Sequence, residues 1–342
     1  MNKWYFHTNG QDDVAISTRV RLARNLRAYP FEGRMTDEQK KRLLADVKTV
    51  LENANIKNQT ELRFIELDKL TQEQTISLVE RHLISPAFAQ NTRCEGLVLS
   101  EDESIAVMLN EEDHIRIQAL GAGLALSETL EAANQLDDIF DATLLYAFDE
   151  KLGYLTQCPT NLGTGLRASV MLHLPALEAN GLIGRISQMV SKLGLTIRGT
   201  YGEGTRVNGS FYQLSNQVTL GISEEGAIEN LRAIASQIIA QERAARNAET
   251  GDYLEDKVWR AYGVLSSARL LSGEEFVELI SMVRMGVSMG VIKGLDFGQI
   301  NALLNETGAA TIMANAGRQL TETERDKLRA QLVRERLFSA NT

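Results

Sequence analysis

Four stretches of this chain hold residue types that could do chemistry. In Ser17-Thr18-Arg19-Val20-Arg21 an extended backbone would place Arg19 and Arg21 on one face and Val20 and Leu22 on the other. Two adjacent guanidiniums repel unless an anion sits between them. The pair therefore reads either as a phosphate clamp or as a solvated edge strand. In Asn110-Glu111-Glu112-Asp113-His114-Ile115-Arg116, three successive carboxylates follow an apolar run. They need solvent or cations, and an exposed turn is the commoner arrangement for such a triplet. No second His or Cys lies at ligand spacing from His114. The third stretch runs from Cys158 through a glycine-punctuated turn to Arg167, then into the alternation Ala168, Val170, Leu172, Leu174 of a half-buried strand. An isolated intracellular cysteine is more commonly a small buried apolar group than a reactive one. In the fourth, Leu195 to Arg206, a strand leads into a loop with Gly199, Gly202 and Gly204. Such glycines let backbone N–H groups approach a phosphate, or simply permit a tight turn.

The elements that would position these groups follow from periodicity. Thr36-Asp37-Glu38-Gln39 and Thr71-Gln72-Glu73-Gln74 have capping-box spacing ahead of apolar stripes, so each opens a packing helix. Leu97–Ser100 and Ile105–Leu109 read as a hairpin, and residues 91–96 as a turn in which Cys94 has no chemical role. Residues 124–148 form a long amphipathic helix, 181–193 another ended by Gly194, and 224–249 a third. Residues 210–214 form one more strand. Beyond Gly251 only helical stripes remain, over 253–271, 273–289, 297–305 and 321–338. The expected division is 1–250 for a sheet-and-helix domain and 251–342 for a helical one, whose exposed apolar face would suit a homodimer.

Bulk properties narrow the function. A net charge of -9 argues against nucleic acid as a partner, since phosphate affinity comes largely from Lys and Arg. Two cysteines are too few for a disulfide framework, and neither a signal peptide nor a membrane span is evident, so a cytoplasmic location and no membrane partner are expected. The glycine spacings match neither the dinucleotide fingerprint nor the P-loop. The single Asp296-Phe297-Gly298 lacks the companion motifs of protein kinases.

Taken together and in this order, Ser17 to Arg21, Asn110 to Arg116, Cys158-Pro159-Thr160-Asn161-Leu162-Gly163-Thr164 through Arg167-Ala168-Ser169, and Arg198-Gly199-Thr200 through Gly202-Glu203 resemble the catalytic domain of the phosphagen (guanidino) kinases. The resemblance spans residues 14–240 and is nearest to the bacterial protein-arginine kinase branch. It implies an α+β fold, an antiparallel β-sheet flanked by helices and followed by an all-helical C-terminal domain. It further implies transfer of the ATP γ-phosphoryl group to protein arginines, with Mg²⁺, marking substrates for Clp-type proteolysis under stress. Arg19, Arg21, Arg116, Arg167 and Arg198 would hold the nucleotide phosphates. Glu112, as base, and Glu203 would align the guanidinium, with a Cys158 thiolate against it. Glu111 and Asp113 would assist through the metal shell and the arginines. Small-molecule members carry a helical domain ahead of the Ser-Thr-Arg motif, which here begins at Ser17, so a protein-borne arginine is the expected acceptor. Arg325, Asp326 and Arg329 fall in an R-D-x-x-R-A motif associated with phosphoarginine binding. From the residues alone, Arg325 and Arg329 share a helix face, either gripping a phosphate or solvated beside Asp326. An activator protein and a Clp chaperone-protease are implied as partners, with an allosteric response to phosphoarginine. The alternatives are a kinase of free arginine or another small guanidine, and an inactive phosphoarginine-binding adaptor.

Overall fold

The alternation around Arg19 and Arg21 does form a strand, β1 (Ala15–Arg24), and it lies in the middle of an eight-stranded sheet. The computed structural model describes residues 3–53, 61–90, 93–200, 208–249 and 251–338. The strands after β1 are β2 (Leu62–Glu66), β3 (Gly96–Ser100), β4 (Ile105–Leu109), β5 (Ile115–Ala122), the separate ribbon β6 (Phe148–Asp149) and β7 (Gly153–Tyr154), then β8 (Leu166–His173), β9 (Leu195–Gly199) and β10 (Phe211–Asn216). The sheet order is β2-β3-β4-β5-β1-β8-β10-β9, and every neighbouring pair is antiparallel.

One face of this sheet is apolar. Val20, Leu22, Ile117, Ala119, Ala168, Val170 and Leu214 join a large core beneath α1 (Asp37–Asn53), α3 (Leu126–Leu144), α5 (Ile183–Lys192) and α6 (Glu224–Ala248). Helix α2 (Gln72–Glu80), opened by the expected capping box at Thr71, covers part of the other face with the N-terminal segment: Trp4, Leu78, Met108 and Leu120 share a cluster there. A short helix, α4 (Pro175–Ala179), follows β8.

The C-terminal residues form α7 (Asp252–Ser267), α8 (Gly273–Ser288), α9 (Phe297–Glu306), α10 (Ala309–Ala316) and α11 (Glu322–Phe338). They bury Ile16 and Phe211 of the sheet, with Met171 packed alongside. A buried polar strut reinforces this contact. Arg246 of α6 donates to Glu242, the His173 carbonyl and Ser288 of α8, while His173 Nε2 and Ser281 Oγ lie 2.8 Å apart. Burial, with Arg246 and Arg284 nearby, holds His173 neutral by pushing its pKa well down.

Three elements depart from expectation. Helix α3 stops at Leu144 because Leu145 turns to φ 54°, and Phe148 then enters the β6–β7 ribbon rather than the helix. Strand β2 carries no strict alternation, and its pairing with β3 decides it. Helix α10 has no local N-cap side chain. Its first N–H groups, Ala310 and Thr311, donate to the Glu80 carboxylate of α2 at 2.9 and 2.8 Å, a cap supplied from far away in the chain.

Candidate active site

Strand register places the five expected arginines on one face of the sheet. Arg21 stands opposite Arg167 of β8, Ala23 opposite Arg116 of β5, and Gln213 of β10 opposite Arg198 of β9. Because side chains alternate along each strand, Arg19, Arg21, Arg116, Arg167 and Arg198 all project away from the apolar core. They line a cleft of about 880 Å³, the part of this face that neither α2 nor the C-terminal helices cover. Glu112 and Cys158 line the same cleft. Glu203 lies outside the described residues.

The charge in this cleft is unbalanced. Burial, with the Arg116 charge, lowers Arg19 to about 10, and burial with Arg19 and Arg116 pushes Arg21 well below the usual arginine range. The Nε of Arg21 is buried and has no hydrogen-bond acceptor among the described residues. Leaving a cation desolvated and unpaired is costly, so the site is built for a polyanion that supplies the missing acceptors. Arg167 is different, being seated beforehand. It donates through Nε to Asn161 Oδ1 at 3.2 Å, through Nη1 to the Asn216 carbonyl at 3.0 Å, and through Nη2 to the Thr160 carbonyl at 3.1 Å. Burial lowers its pKa, while Cys158 and Glu112 act in the opposite direction, as expected for groups sharing one cavity.

The acidic stretch is a buried turn, not an exposed one. Asn110, Asp113 and His114 are almost wholly covered. Asp113 Oδ1 accepts from Asn25 Nδ2 at 2.6 Å and from the Gln157 N–H at 2.8 Å, so it joins the end of β1 to the residue before Cys158. His114 Nδ1 accepts the Leu26 N–H at 2.9 Å, which leaves Nε2 as the donor to the Pro30 carbonyl. Burial lowers the His114 pKa, in keeping with that neutral tautomer. Glu111 accepts from Arg116 at 2.5 Å and from Ser85 at 2.6 Å. Arg116 holds its carboxyl below the usual range against the opposing effect of burial. Asp113 Oδ1 thus serves as a strut between two distant loops. Glu111 is paired with Arg116. Only Glu112 of the three faces the cleft.

This arrangement makes a discriminating prediction. Asp113→Asn keeps an Oδ1 able to accept both hydrogen bonds, so its kcat should stay within about 5-fold of the parent, whereas Asp113→Ala should lose roughly 10²-fold with a lowered melting temperature. Equal loss in both variants would mean that the charge itself, and not the strut, matters.

Cys158 precedes a single 3₁₀ turn, Pro159–Asn161, and its Sγ lies 3.0 Å from Thr160 Oγ1. The loop beyond it is clamped by Thr219, whose hydroxyl donates to the carbonyls of Thr160 and Leu162 and whose carbonyl accepts the Thr164 N–H. Gly163 makes this possible. It sits at φ 109°, and a Cβ there would lie 2.2 Å from the Thr219 carbonyl oxygen. Gly163→Ala should therefore displace the loop that seats Arg167, lowering stability by about 1–3 kcal/mol and kcat/KM by at least about 10-fold. Unaltered melting and kinetics would refute the clamp.

Residues to which the sequence assigned no separate role also line the cleft. His82 follows α2 at φ 61°, its backbone carbonyl accepts Gln118 Nε2 at 2.8 Å, and burial beside Arg19 lowers its pKa to about 4. Thr160, Asn161, Thr196, Gln213 and Ser215 complete the wall. Register could have flagged the strand residues, since they alternate in phase with the arginines. Nothing local marks His82. Among the described residues no cluster of three His, Cys, Asp or Glu could hold a metal ion. With Glu112 the one carboxylate in the described lining, a Mg²⁺ would arrive coordinated mainly by nucleotide phosphates and water, which suits that ion's chemistry.

Comparison with known proteins decides the family. Residues 42–245 match the model of the ATP:guanido phosphotransferase C-terminal catalytic domain, and residues 251–342 that of the protein-arginine kinase McsB C-terminal domain. The protein-arginine kinase of Brevibacillus brevis is 45% identical over 339 residues, 98% of this chain and 95% of that relative. The chain belongs to the protein-arginine kinases. The relative in Desulforamulus reducens is 46% identical across 99% of this chain and 96% of its own. Among solved structures, the duplicated taurocyamine kinase of Schistosoma mansoni with transition-state analogue components superposes with a TM-score of 0.62 at 25% identity, over 74% of this chain. This chain spans only 38% of that duplicated protein. Lombricine kinase shares the fold, with a TM-score of 0.60 over 70% of this chain and 69% of its own.

The R-D-x-x-R-A residues of this protein-arginine kinase family member lie on α11, outside the cleft lining. Arg329 is buried and donates to the carbonyls of Thr307 and Leu271 at 3.0 and 2.8 Å and to Asp326 Oδ1 at 2.7 Å. Burial lowers its pKa, opposed by Asp326. The Arg325 side chain, half-buried, makes no hydrogen bond among the described residues.

Proposed function

We propose that the protein transfers the γ-phosphoryl group of ATP to arginine side chains of other proteins. The observation that carries this reading is the row of cleft arginines, with the Arg21 Nε buried and without an acceptor among the described residues, facing Glu112 and Cys158 in one cavity. Dense negative charge on the nucleotide would satisfy the arginines, with Arg116 and Arg167 already oriented. The acceptor guanidinium is protonated and its lone pair delocalised, so it must lose a proton as a nitrogen attacks. The N–P bond forms as the bond from phosphorus to the β-γ bridging oxygen breaks. ADP leaves, and Glu112 takes the proton. A Cys158 thiolate would favour the guanidinium electrostatically.

Near-full-length similarity to protein-arginine kinases supports a protein acceptor over free arginine. A role in marking proteins for Clp-type degradation in the stress response, with an activator protein, is part of the same proposal and rests on the family resemblance alone. No helix among the described residues is long and apolar enough to cross a membrane. A cytoplasmic location is part of the proposal. Exposed Tyr253, Trp259 and Val264 on α7 fit a homodimer contact. Arg325, Asp326 and Arg329 would bind phosphoarginine, Arg329 as the fixed member and Arg325 as the open one, with allosteric consequences.

Incubation with ATP, Mg²⁺ and a folded arginine-bearing protein, alongside free arginine, tests the proposal. Acid-labile phosphate should appear on protein arginines. Transfer to free arginine alone, or to neither acceptor, would overturn it.

A further inference from the structure

A second cleft, of about 460 Å³, lies behind the loop that carries Cys158, lined by Gly163, Thr164 and Thr219. The loop thus has two sides, one toward the arginine row and one toward this cleft. Its mouth is unusually apolar for a surface. Phe148 is 50% exposed, Leu152 44%, Leu220 49% and Ile222 39%. Large apolar side chains grouped around one opening mark a binding surface more often than isolated exposed ones do.

The cleft continues into a groove of about 340 Å³ between α3 and α6, and the two share Asn134, Asp138 and Glu225. Four exposed carboxylates line this path: Glu131 and Asp138 on α3, Glu225 and Glu229 on α6. None of them makes an ion pair among the described residues. Two cations besides Arg24 line the path, Arg232, which donates to Ser127, and Lys151 in the first cleft, so carboxylates remain in excess. Glu225 and Glu229 are one helical turn apart, a spacing at which like charges destabilise a helix. At the inner end, Arg24 brings no free charge, because Asp137 and Glu224 neutralise it and the Tyr154 ring covers it at 3.5 Å. The path is therefore a negative groove ending in an apolar mouth, one loop away from the acceptor site. A protein-borne arginine arrives within a longer segment, and its neighbours must rest somewhere.

We infer that this groove docks the substrate itself: an extended basic segment lies between α3 and α6, with an apolar side chain seated between Phe148 and Leu220. The inference rests on the reading that proteins are the acceptors. Charge complementarity supplies the choice of occupant, since an acidic or neutral segment would leave the four carboxylates unanswered.

The test uses two synthetic peptides with the same acceptor arginine, one of five residues and one of twenty extended by lysine and leucine. With the full-length protein, kcat/KM should favour the long peptide by about 10-fold, and rising salt should erode that preference. In E225K/E229K and in F148S/L220S the preference should fall to within about 2-fold, while the short-peptide kcat/KM, the KM for ATP and the melting temperature stay unchanged. Binding of the fluorescein-labelled long peptide, followed by anisotropy without ATP, should weaken in the same variants. Preference and binding that survive both double substitutions, or that are absent from the parent, overturn the docking groove. Peptide binding that behaves as expected without any phosphorylation would instead overturn the proposed reaction and leave docking standing.

Discussion

Replacing Glu112 by glutamine is expected to lower kcat by roughly 10²–10⁴-fold, the range for loss of a positioned general base. Glutamine keeps the shape and can still accept a hydrogen bond, but it cannot take a proton from the guanidinium. The loss should fall on kcat more than on the KM for ATP, because the phosphates are met by arginines on the strands and not by this turn. Positioning should survive as well. Asp113 and His114 hold the turn through Asn25, Gln157 and Leu26, and none of those bonds involves the Glu112 side chain. Retention of phosphoryl transfer in Glu112→Gln, measured by single-turnover kinetics with a protein acceptor, would remove Glu112 from the mechanism. The duty would then pass to another carboxylate, such as Glu203.

The second large effect concerns Arg21, and it should run in opposite directions for function and stability. Arg21→Met removes a half-buried guanidinium whose Nε has no acceptor among the described residues and whose neighbours Arg19 and Arg116 repel it. Replacing a partly desolvated charge that faces like charges by an apolar side chain of similar reach is commonly stabilising by about 0.5–2 kcal/mol. The nucleotide-free protein should therefore melt several degrees higher. In the same variant kcat/KM for ATP should fall by about 10²–10⁴-fold, since one of the charges meeting the phosphates is gone. A further consequence separates this account from simple unfolding. Saturating ATP should raise the parent's melting temperature substantially and the variant's little. A variant less stable than the parent without nucleotide would show that Arg21 has a structural counter-ion that this cleft does not provide.

Much of the site was legible from the sequence for a geometrical reason. Side-chain alternation puts Arg19 and Arg21 on one face wherever β1 goes, and the apolar phase of Ala168, Val170 and Leu172 turns Arg167 to the opposite side from the core. The capping box at Thr71 is a local signal that formed as expected, since its two hydrogen bonds close within four residues. Helix α10 was not legible, because its N–H groups are capped by Glu80 from another helix. The burial of the acidic turn is hidden from the sequence for the same kind of reason. Residues 110–114 carry the charge pattern of an exposed turn, and the partners that let them be buried, Asn25, Ser85 and Gln157, are remote in the chain. The His82 backbone is held at the cleft by Gln118 of β5, a partner remote in the chain.

What the sequence determined by itself is the set of chemical groups and the face each occupies, because strand and helix periodicity are properties of the local backbone. It also carried the ordered motifs that identify the family. Tertiary structure decided which of those groups are free to act. Arg167 is seated and Arg21 is not; Glu112 faces the cleft while Asp113, next to it, is a strut; Arg329 is held by backbone carbonyls while Arg325 stays open. These distinctions depend on desolvation and on which distant donor or acceptor is brought within about 3 Å, and neither quantity exists until the chain has folded.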